Sequence, residues 1–308
     1  MRFSRLRFAL ILTLLSQTLF SQRGYKFEIG GCLGSSSYLG DVGGGNGVAK
    51  HNMFDTKLSQ TRWSGGGFIK YKFHPKFFYK LSANDIFIHG DDASSGNPAR
   101  KYRNLSFRNN IYDLENTINY IFYSSNKPNG IYSRVTTYIT GYVFTGFGVF
   151  YHNPQTFYQG SWVDLQPLKT EGVAYSKVAY SVPMGIGFYV SIVKNRHAHR
   201  IGIEFNWRYT STDYLDDVSS NTWMNPLNLN SPTAVALYNR NPELKSQPEG
   251  INMNYGWHDD GKGNNLNKAP RGNPKYNDSY YSFSVTYGIS VKGRHTKSRG
   301  KRIRSVAF

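Results

Sequence analysis

Arg200-Ile-Gly-Ile-Glu-Phe-Asn-Trp-Arg-Tyr-Thr210 is the stretch whose reading decides the fold. Its odd positions, Ile201, Ile203, Phe205, Trp207 and Tyr209, are all apolar, while Arg200, Gly202, Glu204, Asn206, Arg208 and Thr210 between them are polar or small. A period of two puts the two sets on opposite faces of an extended strand; a helix would scatter both around its circumference. The same alternation recurs near the end of the chain, where Tyr281, Phe283, Val285, Tyr287, Ile289 and Val291 stand opposite Ser282, Ser284, Thr286, Gly288 and Ser290. It is also present at the start, with Tyr25, Phe27, Ile29 and Leu33 opposite Lys26, Glu28, Gly30 and Cys32.

Five weaker segments lie between, at residues 65–73 (Ile69, Tyr71 and Phe73 outward), 77–89, 107–122, 133–151 and 180–192, so eight strands are predicted. Short connections at 74–76, 124–130 and 193–198 alternate with long ones at 35–64, 90–105, 152–177 and about 219–278. Strict alternation of tight turns and long loops marks an even-stranded outer-membrane barrel, with short periplasmic turns, long extracellular loops and both termini periplasmic. The fold class is therefore all-β: an eight-stranded antiparallel transmembrane β-barrel. Eight strands leave an interior that side chains can fill. The inward set contains Lys26, Glu28, Lys70, Lys72, Lys80, Arg200, Glu204 and Arg208, which predicts a lumen closed by ion pairs and argues against passive transport.

Composition agrees with this class. Aromatic residues reach 16%, with 24 Tyr and 20 Phe, charged residues are only 18%, and mean hydropathy is below zero. An apolar outer band combined with a polar lumen and polar loops has that profile, whereas a helical membrane protein would be far more apolar. Residues 1–21 carry Arg2, Arg5 and Arg7, an apolar run over 8–15, and Ser21 before Gln22, the pattern of a signal peptide too short to span a bilayer. The barrel is assigned to 22–292 and a basic periplasmic tail to 293–308. Ile29-Gly-Gly-Cys32 has the outline of a lipobox, but Arg23, Lys26 and Glu28 separate it from the apolar run, and Cys32 falls on the lumen face. One cysteine allows no internal disulfide.

The formal charge of +18, or +15 without Arg2, Arg5 and Arg7, favours anionic partners. Scattered Lys and Arg on an exported chain argue against nucleic acid and for outer-membrane lipid, lipopolysaccharide or acidic protein. Three acidic clusters could suit a barrel protease: His89-Gly-Asp91-Asp92, Asp213 with Asp216-Asp217, and His258-Asp-Asp260. Asp is common where strands leave a membrane because it caps turns, so the expectation is no enzyme, no catalytic residues and no cofactor. His197-Ala-His199 is placed in a turn with no third ligand nearby, so no metal site is expected. The last loop, with Tyr255-Gly-Trp257, has the composition of an exposed binding surface.

One stretch does more than alternate. Gly202-Ile-Glu-Phe-Asn-Trp-Arg-Tyr-Thr-Ser-Thr-Asp-Tyr-Leu-Asp-Asp-Val-Ser219 resembles a hallmark segment of the PorG-like barrels of the Bacteroidota type IX secretion system. Glu28-Ile-Gly-Gly31, Tyr38-Leu-Gly-Asp41, Gly146-Phe-Gly-Val-Phe-Tyr151 with Asn153-Pro154, and Leu165-Gln-Pro-Leu-Lys-Thr-Glu-Gly172 are similar to that family in the same order, so the resemblance covers most of the chain after residue 21. It implies a non-enzymatic outer-membrane component of a hetero-oligomeric secretion machine. That component would contact the machine's periplasmic ring lipoprotein, with a link to gliding motility. Asp213, Tyr214, Asp216 and Asp217 are the candidates for turn capping or partner contact. The alternative is a generic OmpA-like surface barrel for adhesion or membrane integrity.

Overall fold

A computed structural model describes residues 25–44, 58–127, 135–194, 197–244 and 270–292. Ten strands form one sheet: β1 (Tyr25–Leu39), β2 (Arg62–His74), β3 (Phe77–Asp91), β4 (Ser106–Lys127), β5 (Val135–Tyr151), β6 (Gln155–Tyr158), β7 (Ser161–Asp164), β8 (Val178–Lys194), β9 (His197–Thr210) and β10 (Ser279–Lys292). Eight of them pair antiparallel in the order β3-β2-β1-β10-β9-β8-β5-β4, and β3 with β4 closes the ring. No barrel edge is left unpaired, so the strands form a closed eight-stranded barrel in up-and-down order. β6 and β7 form a hairpin that attaches to the end of β4 at Arg108↔Gln155.

The alternation seen in the sequence sets the faces. Along β9, Ala198, Gly202, Glu204, Asn206, Arg208 and Thr210 are buried, while Ile201, Ile203 and Tyr209 are exposed. Exposed Ile29 (66%) and Leu33 (73%) on β1, Ile118 on β4 and Val285 on β10 continue the same outward apolar band around the wall. An inverted arrangement of this kind, apolar outside and polar inside, is stable only in a lipid solvent, where strands with fully paired backbones can span. The molecule is a transmembrane β-barrel.

Several strands run further than the sequence pattern. β1 continues through Ser35-Ser-Ser37 to Leu39, because Ser36 stays in register with Ser282 and Arg62 and its hydroxyl donates to the Phe87 carbonyl at 2.5 Å. Polar residues on both faces end the alternation there but not the ladder. The connection expected at 35–64 is accordingly 40–61. β9 begins at His197, so the two histidines lie on a strand rather than in a turn. The long connection 152–177 contains the β6–β7 hairpin, turned by Gln159 and Gly160 at φ 47° and 83°, and Gly160 supplies that backbone with no Cβ to hinder it. Two short helices, α1 (Pro98–Arg103) and α2 (Pro232–Tyr238), sit in other long connections. The first described residue of the barrel, its last, and the strand ends that the three short connections join all lie at one end, and the strand ends that the four long connections join lie at the other.

Candidate functional site

The interior is built in layers from inward positions of all the walls. Near the short-turn end, Glu28 on β1 takes Lys70 at 3.2 Å and the Arg200 guanidinium. The next layer joins Lys80 to Glu204 at 2.6 Å, and the Tyr142 hydroxyl donates to the other Glu204 oxygen at 2.6 Å. Above it, Arg208 pairs with Asp113 at 2.9 Å and with Glu115, donates to Ser282 at 2.9 Å, and receives Asn206 as a neighbour on Glu115 at 3.0 Å. Aromatic rings fill the space between: Lys70 lies 4.4 Å over Phe68, and Phe78, Tyr142, Phe144 and Tyr189 pack as one cluster. Two voids in these layers hold about 10 Å³ each, room for roughly one water molecule. The lumen is closed by paired charge and aromatic packing.

Glu28, Arg200, Glu204 and Arg208 therefore all sit in this network, as do Lys70 and Lys80. Lys72 points inward and is half-buried, and the side chain of Lys26 lies outside the described residues. Asp113 and Glu115 escaped the sequence reading. Both are inward odd positions of β4, whose mixed pattern, with Asn116 on the outward face, gave no clean alternation.

At the long-connection end the mouth is stopped by an apolar plug in which Ile86, Ile88, Phe107, Ile111, Phe150 and Tyr280 from the walls meet Val42, Leu165, Leu215 and Leu237 from the connections. Buried polar side chains tie the connections to each other over this plug. Arg103 donates to Asp92 at 2.7 Å, to the Asp41 carbonyl at 2.7 Å and to the Arg271 carbonyl. Arg271 in turn pairs with Glu171 and donates to Thr170 at 3.1 Å. Four connections are thus pinned by two arginines.

The string Asp213–Asp217 belongs to this cap. Asp216 is fully buried, and its carboxylate accepts the Tyr38 hydroxyl at 2.5 Å and the amides of Val42 at 3.0 Å and Val218 at 2.9 Å. Asp217, at φ 67°, accepts from Thr170 at 2.5 Å and from the Tyr175 hydroxyl at 2.6 Å. Tyr214 stacks on Tyr175 with ring centroids 4.5 Å apart. Asp213 keeps one buried oxygen without a hydrogen bond. Burial raises all three carboxyls: Asp213 to about 7, Asp217 to about 6 despite Arg271, and Asp216 well above the usual range, helped by Asp41. Asp278, also buried, is raised beside Asp216. Asp216 and Asp217 reach across to other connections, a role that local turn signals do not encode.

The other candidate clusters come apart. His89 and Asp91 face away from buried Asp92; Asp91 caps the Ala93 amide at 2.9 Å, and Asp92 is held by Arg103. His197 and His199 are exposed on β9, with His199 Nδ1 2.9 Å from the Tyr287 hydroxyl. Among the described residues no group of three or more His, Cys, Asp or Glu is placed to hold a metal. Cys32 is half-buried in the lumen, its thiol donating to Asn84 at 3.8 Å. Residues 1–21, the cluster at His258, the pair Tyr255 and Trp257, and the tail 293–308 lie outside the described residues.

Fold and interior together define a class: a transmembrane eight-stranded β-barrel of the outer-membrane type, closed to passage by its own side chains. Within that class, the chain belongs to the family described as a domain of unknown function (DUF6089), whose model matches residues 5–231. Comparison with curated proteins finds no match. Among solved structures the chain is similar to Neisserial surface protein A, at 10% identity over 87% of this chain and 97% of that one, with a TM-score of 0.31. It is similar also to the N-terminal barrel domain of OprF from Pseudomonas aeruginosa (9% identity, 86% and 98% covered, TM-score 0.32) and to OprG from the same organism (10%, 87% and 95%, 0.33). Superpositions this loose carry no argument, and the barrel rests on its own strand register.

Proposed function

We propose that this chain is a non-enzymatic outer-membrane barrel of the type IX protein secretion system, set with both termini in the periplasm, where it anchors the periplasmic ring lipoprotein. The observation that supports a role as anchor is the sealed interior: charge-paired layers and a plugged mouth leave the molecule its surfaces to act with. Asp92, Asp216 and Asp217, which a barrel protease would need free to activate water, are each engaged by other side chains. Assignment to the secretion machine rests on the sequence resemblance over 202–219 and the shorter strings in the same order. A link to gliding follows from the same resemblance.

The test is a clean deletion with complementation. Loss of secreted cargo in the deletion, and recovery of the ring lipoprotein with the tagged full chain from mild detergent, are the expected results. Normal secretion in the deletion would remove the proposal and leave the generic surface barrel, whose readout is adhesion or detergent sensitivity.

A further inference from the structure

The cap holds an open cavity of about 390 Å³, between the third and fourth long connections, that neither the sealed lumen nor the anchor role uses. Its floor is rigid. Trp223, 1% exposed, packs edge-on against Tyr238 with centroids 5.3 Å apart, and the Arg271 guanidinium lies 6.0 Å over the indole. Glu171 pairs with Arg271 and accepts the backbone amides of Ser219 at 3.1 Å and Ser220 at 3.0 Å. The two charges at the floor therefore neutralise each other. Among the described residues the rim is polar and uncharged: Thr222 and Asn228 are exposed, and half-buried Asn225 beside them caps the Leu227 amide at 3.0 Å.

We propose that this cavity binds a neutral carbohydrate of one or two sugar units. The volume lies in the range of preformed small-molecule sites, roughly 300–1,000 Å³. An anion would face the Glu171 carboxylate and a cation the Arg271 guanidinium, so net charge is disfavoured from either side. A purely apolar ligand would bury the rim amides and hydroxyl without partners, at a desolvation cost. A polyhydroxylated ring supplies both donors and acceptors to Asn and Thr, and its C–H groups can rest on half-buried Met224, with Trp223 buried beneath as support. Free sugar and the end of a surface polysaccharide share this chemistry.

The test uses the purified full chain in detergent, titrated by calorimetry and saturation-transfer NMR. Probes are glucose, galactose, mannose, rhamnose, N-acetylglucosamine and maltose, with delipidated O-polysaccharide of the native bacterium as the second arm. At least one probe is expected to saturate with a Kd below about 1 mM. Binding in the first arm assigns free sugar and binding confined to the second assigns the polysaccharide; either supports the site. Thr222→Trp, which fills the cavity from its exposed rim, is expected to weaken binding about tenfold or more, and Asn228→Ala to weaken it less, both with wild-type heat-modifiability on gels. No saturable binding by any probe, binding unchanged in both variants, or glucose 6-phosphate binding more tightly than glucose would overturn the proposal.

Discussion

Tyr38 shows how much one residue can settle. Its hydroxyl sits 2.5 Å from Asp216, 2.8 Å from Asp278 and 3.0 Å from the Asp41 amide, yet it carries a single proton. The Tyr38 proton can serve only one of the two carboxyls at a time, so a second proton, on Asp216 or on Asp278, must be held between them, in line with the raised values of both. The clamp therefore holds a carboxylic acid. Because the folded-state values of Asp213, Asp216, Asp217 and Asp278 are raised, the linked stabilisation is full below the ordinary carboxylate range. It is lost as pH rises through about 6 for Asp217 and about 7 for Asp213. The protection of residues 211–219 against hydrogen exchange, taken relative to the intrinsic rate at each pH, is expected to be greater at pH 5 than at pH 8, and Asp278→Asn, whose amide can donate to Tyr38 without a titrating proton, should shrink that difference. Equal protection factors at both values would contradict the assignment. In the lumen, Glu204→Ala leaves Lys80 and the Tyr142 hydroxyl buried without their acceptor, and urea unfolding in micelles should show a loss of about 3–5 kcal/mol. The double change Lys80→Met with Glu204→Leu should recover part of it, because it removes the orphaned lysine charge while the Tyr142 hydroxyl still lacks its acceptor.

At the level of elements, the inward and outward glycines behave differently. A Cβ at inward Gly30 would run into the Tyr287 carbonyl and the Phe68 ring, whereas one at outward Gly67 would meet its nearest atom at 3.8 Å. Gly30→Ala is thus expected to prevent barrel folding, read as loss of heat-modifiable mobility, and Gly67→Ala to leave it intact. The strands were legible in the sequence wherever one face was apolar and the other polar, as in β9 and β10. They were not legible where both faces are polar, as at Ser35–Ser37. The β6–β7 hairpin left a weak local trace in Phe157-Tyr-Gln-Gly-Ser-Trp162, two aromatic flanks around a Gly-containing turn, but four-residue strands are too short for periodicity to register. The cap was not legible because its bonds join residues far apart in the chain: Arg103 to Arg271, Tyr38 to Asp278, Glu171 to Arg271. No local signal specifies such partners.

For the whole molecule, the position of each charge matters more than the net charge of +18. Lys70, Lys80, Arg200 and Arg208 on the inward face are matched by Glu28, Asp113, Glu115 and Glu204, layer by layer, and the mouth above them is closed by packed apolar side chains. A barrel filled in this way is a rigid membrane-embedded post, and its outer cap and short-turn end are what it presents to other molecules. The claim that the interior is sealed is met head-on by conductance: the purified full-length chain, inserted into a planar bilayer under an applied potential, should give no current steps above the bare bilayer. Sustained ohmic steps that scale with the number of inserted molecules would contradict it.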